Sequence, residues 1–237
     1  MLPSPAAIEE VEIPTREVVL GLVGLYNRAS WPMPAVGAVA AFAALAFVLI
    51  RPGIFSDMVA KIVLDLLWLW TGIIFFIWRL APEFHVAYLF AAAFALQGTY
   101  FFVDILFGGL EFRPYKNGST LIAALILLFT AAVVHPVLAS ALGRGWPKLT
   151  LVGTGPGPTA AATLALLMFT LHKPKPSFFL IPAAWALGAG IAVAQGWHFY
   201  EELVPAGVAL VVLLWLAATA WRPKGPAKAE TVEGATL

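Results

Sequence analysis

Cysteine is absent from all 237 residues, which excludes disulfides, thiolate metal sites and thiol nucleophiles. Charge is scarce too. Asp, Glu, Lys and Arg make up 11% of the chain and the net charge is +1. A soluble domain carries about 25% charged residues, so this chain has too little charge to cover a water-facing surface. Its near balance of signs leaves no basic surface for nucleic acid and no acidic tail for a basic partner. Enzyme signatures are missing as well: there is no phosphate loop, no G-x-S-x-G elbow and no H-E-x-x-H. Ser30 and Ser140 have no histidine in a context that suggests a base. The expectation is a protein that is not an enzyme and holds no cofactor. The opening MLPSPAAIEEVEIP lacks the positive and apolar regions of a signal peptide, so membrane insertion is expected to rely on internal helices.

What is abundant is apolar. Hydrophobic residues make up 61% of the chain and mean hydropathy is +0.90. Apolar runs recur that approach or exceed the roughly 20 residues needed to cross a hydrocarbon core of about 30 Å. The expected fold is therefore an all-α, polytopic transmembrane helix bundle in contact with the lipid bilayer. Seven spans would occupy roughly 140 residues and leave no room for a soluble catalytic domain.

The order of segments follows from the breaks. Residues 1–14 hold three prolines and three glutamates and read as a flexible tail. Residues 15–32 form an interfacial amphipathic segment, in which Thr15 is placed to cap a short helix and Glu17 lies near its positive end. The bundle, one domain, covers 33–221, with spans near 34–50, 58–80, 84–107, 119–142, 158–172, 178–195 and 203–221. A tail follows at 222–237. Span five is weak, and if it is re-entrant the count falls to six. Tryptophans 31, 68, 78, 146, 197 and 221 fall near span ends and read as interfacial anchors. Gly37-x-x-x-Ala41 and Gly188-x-x-x-Ala192 permit close helix contact. No internal repeat of the kind that marks many transporters is visible.

Several residues can carry chemistry. Asp65 lies inside span two between leucines, and an intramembrane carboxylate points to an ion path, a proton relay or a counter-charge. Lys61 sits one turn earlier and offers a plain pairing. Gln97 and Asp104 are seven apart and share a face of span three; Asp104 also suits a helix end reaching the headgroups. His198 and Glu201 have a spacing compatible with one helix face, the kind of pair that can ligate a metal, but no second cluster accompanies them and no metal site is assigned. His135-Pro136 inside span four reads as a packing or kink feature. The run Gly153 to Thr159, GTGPGPT, enters span five either as an extramembrane loop or as a broken helix starting at membrane depth.

Tyr26-Asn27-x-x-x-Trp31-Pro32 precedes the first span. Together with Trp68-Leu69-Trp70-x-Gly72, Tyr88-Leu-Phe with Leu96-Gln97-Gly98, and Gly-Pro-Thr159, it resembles a family of small bacterial inner-membrane proteins known as domain of unknown function 6064. The resemblance runs from about Pro14 to Trp221 and implies a multi-pass protein of the bacterial cytoplasmic membrane. Some members carry the label permease. The family's aromatic-histidine pair after W-L-W-x-G is replaced here by Phe75-Phe76, so no histidine role carries over. Tyr26, Asn27, Trp31 and Pro32 are the family-like positions. Asn27 can bridge to a neighbouring loop or line a polar cavity, since a buried carboxamide demands partners.

Two functions follow as expectations. One is a permease-like transporter of a small solute or ion, with Tyr26, Asn27, Trp31, Asp65, Gln97 and Asp104 as ligand-binding residues around a polar cavity. The other is a non-transporting accessory subunit that packs against a membrane-protein partner or a second copy of itself. Loop charge sets orientation. With seven spans, Arg16, Arg28, Arg79, Arg144 and Lys148 face one side, and Arg51, Lys61, Arg113, Lys116, Lys173, Lys175, Arg222, Lys224 and Lys228 face the other. The N-terminus is then outside and the C-terminus cytoplasmic; with six spans both termini are cytoplasmic. A topology reporter at the C-terminus is expected to read cytoplasmic in either case, and the same reporter at the N-terminus separates six spans from seven.

Overall fold

The computed structural model describes residues 14–113, 118–170 and 176–220. The tail expected over 1–14 falls outside the described residues except for Pro14, and the tail at 222–237 and Trp221 fall wholly outside them. Among the described residues the chain is helical, apart from loops and one antiparallel bridge between Phe112 and Thr170. Among the described residues, five helices are long and apolar enough to cross a membrane.

Helix α1, Arg16–Ala29, is capped by the Thr15 side chain, which accepts from the Val18 amide. Its face of Val19, Leu20, Val23, Tyr26 and Asn27 is buried against the bundle. Helix α2, Met33–Ile50, has proline in its first turn, where the missing N–H costs nothing. Helix α3 runs Ile54–Leu80, helix α4 Ala87–Phe107 and helix α5 Gly118–Ala141. Helix α6, Pro156–Leu167, is short. Helix α7 runs Ser177–Trp197 and α8 covers Leu203–Ala220.

Three of these helices switch to π geometry. In α3 the change covers Thr71–Leu80, where the Thr71 hydroxyl donates to the Leu67 carbonyl and competes with the helix ladder. In α5 it covers Thr130–Val134. Pro136 lacks an N–H and its ring crowds the carbonyl four residues back; the His135 amide bonds Thr130, five residues back. In α7 it covers Trp185–Ala189, just after Pro182.

The centre of the molecule is α6. All of its 12 residues are buried. At 1.5 Å per residue it is about 18 Å long, too short for a hydrocarbon core of about 30 Å. It packs against α5, α8 and the start of α7. Trp68, read as an anchor, is instead fully buried and donates through Nε1 to Thr163 on α6 at 2.9 Å. Trp31, Trp78 and Trp146 are exposed as anchors should be.

Both ends of α6 are held inside the protein. At its start the run 152–159 is buried, so the helix begins among other protein groups. Thr159 works from inside the helix: its hydroxyl accepts from the Gly153 amide at 2.8 Å and donates to the Gly155 carbonyl at 2.6 Å. At its far end the Arg113 amide donates to Phe169 at 2.7 Å. Asp57 fixes that neighbour, accepting from the Phe112 amide at 2.9 Å and from Arg113 Nη1 at 2.6 Å.

Gly37 makes close contact as expected, but with the loop before α6: a Cβ there would lie 3.3 Å from the Val152 carbonyl oxygen. Gly188 meets nothing, so the second small-residue motif brings no helix close. Gly153 has φ +84, and a Cβ would lie 2.5 Å from Leu67 Cδ2 and 3.2 Å from Gly37 Cα. Gly153→Ala is therefore expected to cost about 1–3 kcal/mol, read as a lower unfolding midpoint in detergent; an unchanged midpoint contradicts this packing.

Candidate functional site

The six residues expected to bind ligand do not assemble into one polar cavity. Asn27 is buried and its Nδ2 donates to the carbonyls of Pro147 and Leu149, at 2.5 and 2.6 Å. It is the bridge from α1 to the 143–155 loop. The Tyr26 hydroxyl accepts from Trp70 Nε1 at 2.8 Å, and burial pushes its phenol above the usual tyrosine range. Trp31 is exposed and stacks edge-on against Trp146 at 5.5 Å.

Asp65 does not pair with Lys61. Lys61 Nζ instead meets Asp104 Oδ2 at 2.7 Å across the α3–α4 contact, and that same oxygen accepts from the Leu110 amide at 3.1 Å. Asp104 is thus an internal ion-pair partner and not a headgroup contact. Asp65 is buried and its Oδ1 has no hydrogen-bond partner; it lies 3.2 Å from where a Cβ on Gly98 would sit. Gln97 is fully buried on α4 and donates to the Phe178 carbonyl at 3.3 Å.

A cavity of about 320 Å³ opens between α1, the π segment of α3, the start of α6, α7 and the turn before α8. None of the six residues lines it. Its wall is mainly aromatic, with Phe75, Phe76, Phe84, Phe90, Trp185 and Phe199. Phe76, Phe90 and Trp185 form a mutually edge-on set, with centroids 5.1–5.7 Å apart. Polar groups reach it from Arg79, Arg144, Thr150 and Glu202.

Behind one wall lies a buried charge cluster. Arg144 Nη1 pairs with Glu201 Oε1, and its Nε and Nη2 donate to the Lys148 carbonyl at 3.2 and 2.9 Å. Its guanidinium also lies 4.7 Å from the Phe199 ring centroid, a cation–π contact. Glu202 Oε1 is 3.9 Å from Arg144, 3.5 Å from His135 Nε2 and 3.3 Å from the Thr150 hydroxyl. Glu202 can approach α6 because position 157 is glycine; a Cβ there would stand 2.3 Å from Glu202 Oε2.

His135 and the Glu201-Glu202 pair stand out in the sequence, but their meeting with Arg144 does not. Arg144 and Thr150 lie in a loop 57 and 52 residues from their carboxylate partners, a separation beyond any local motif. The pairing of His198 with Glu201 does not form. His198 has φ 57 and ends its helix, its Nδ1 lies 3.2 Å from the Tyr200 hydroxyl, and Glu201 turns inward.

Removing one partner of a buried ion pair leaves the other charge uncompensated. Arg144→Met is expected to cost about 3–5 kcal/mol, seen as a large drop in unfolding midpoint. The double variant Arg144→Met with Glu201→Met should recover much of it; equal loss in both would contradict the pairing.

No curated protein and no solved structure matches the chain. A model described as a family of unknown function, DUF6064, matches residues 16–222, and the chain belongs to that family.

Proposed function

We propose that the protein is a permease-like carrier of the bacterial cytoplasmic membrane that holds a small solute with an apolar body in the aromatic cavity. In this reading the bundle crosses six times, α6 is an enclosed segment and both termini are cytoplasmic. The observation that carries it is the cavity itself. At about 320 Å³ it falls at the lower end of ligand pockets, which run about 300–1,000 Å³ and combine apolar walls with a few placed polar groups.

The π segments support the same reading. Those of α3 and α7 supply Phe75, Phe76, Trp185 and Ala189 to the wall, and that of α5 ends against His135 beside Glu202. Such segments concentrate at functional sites. The expected polar cavity around Asn27, Asp65 and Gln97 gives way to an apolar one whose charges come from Arg79, Arg144 and Glu202.

A ligand that binds only the folded protein stabilises it by about 2.7 kcal/mol at a hundredfold excess over its dissociation constant. Against a panel of apolar and amphipathic solutes, the purified protein should show such a shift. Ala189→Phe, which fills the cavity, should fold normally and lose it. A shift that survives in Ala189→Phe would place the ligand elsewhere.

A further inference from the structure

Resting on that cavity reading, we infer that the ligand is a single-chain amphiphile with an oxyanion head, and that Arg79 holds the head while the aromatic wall holds the chain. Two cations line the cavity, Arg79 and Arg144. Arg144 is already committed to Glu201 and to the Lys148 carbonyl. Glu202, the cavity's carboxylate, is shared among His135, Arg144 and Thr150. Arg79 has no such commitment. Among the described residues it makes no ion pair, and its Nε is buried without a hydrogen-bond partner.

A guanidinium beside an apolar cavity presents a planar fork suited to a carboxylate or phosphate. An anion bound there gains a charge-assisted contact in a medium drier than water. Position selects the shape of the ligand. Arg79 lies at the last turn of α3, next to Trp78, which is 74% exposed and marks an interfacial belt. A head at that level and a chain reaching inward past Phe75 and Phe76 place each part of an amphiphile in its own medium. The volume favours one chain, since about 320 Å³ is small for a two-chain lipid.

The test uses the full-length protein in phosphatidylcholine nanodiscs, with radiolabelled decanoate as probe and empty discs as background. Saturable binding at one site per chain is expected. Decyl phosphate should displace the probe and decanol should not. Arg79→Gln should weaken binding by about tenfold or more, with Arg79→Lys restoring part of it. Phosphatidylglycerol as a competitor tests the single-chain claim: no displacement is expected, and displacement would overturn the single-chain reading in favour of a bilayer lipid headgroup. Decanol competing as well as decanoate, or Arg79→Gln binding as tightly as wild type, would overturn the role of Arg79 and leave the cavity standing. No saturable binding of decanoate, decyl phosphate or decanol in the wild type would overturn the cavity reading itself.

Discussion

A backbone polar group in a membrane protein must find its partner within the protein, and here that demand falls hardest on one short helix. Helix α6 is about 18 Å long and every residue in it is buried, so its ends finish among other protein groups. The architecture around it answers that demand. Thr159 ties the turn before it, and the Phe112–Arg113 segment, anchored by Asp57, receives the chain that leaves it.

The polar clusters fall into place around the same helix. Arg144, Glu201, Glu202, His135 and Thr150 gather near its start, where glycine at 157 admits the Glu202 carboxylate. A negative group there also complements the positive end of the helix. Lys61 and Asp104 tie α3 to α4 near the segment that meets its far end. Buried pairs of this kind contribute little net stability against a well-packed apolar alternative. Removing one partner is costly, because it leaves the other charge buried and uncompensated. The cavity lies against the cluster at the start of α6, so the same groups that complete the helix supply its polar wall.

Much of the fold was legible in the sequence because it rests on local signals. The all-α bundle followed from apolar runs, the α1 cap from Thr15 and Glu17, and the weakness of span five from its short apolar stretch and glycine-proline entry. The seven expected crossings are not confirmed: among the described residues five helices are long enough, and the fifth expected span falls on the short, buried α6. The site was much less readable. Asp65 has Lys61 on its own helix face, yet Lys61 reaches Asp104, 43 residues away; helix spacing says which groups are neighbours on one helix and nothing about what the next helix offers. Trp68 has the spacing of an anchor but meets Thr163, 95 residues away. Asn27 was readable as a bridge because a buried carboxamide demands partners, although the partners, two loop carbonyls, were not. Arg79 looked like a boundary residue, and only the packing of α1 and α7 shows a cavity beside it.

Because the chain has no native cysteine, the central claim that α6 is enclosed on all sides is open to direct measurement. Single cysteines placed in turn at positions 160 to 167 can be challenged with a water-soluble maleimide and with a lipid-soluble one, in intact membranes. The account predicts that neither reagent labels any of the eight positions at the rate of a control cysteine on an exposed helix face. Labelling by the lipid-soluble reagent at every third or fourth position would contradict it, showing α6 to be a peripheral span with one face in the bilayer.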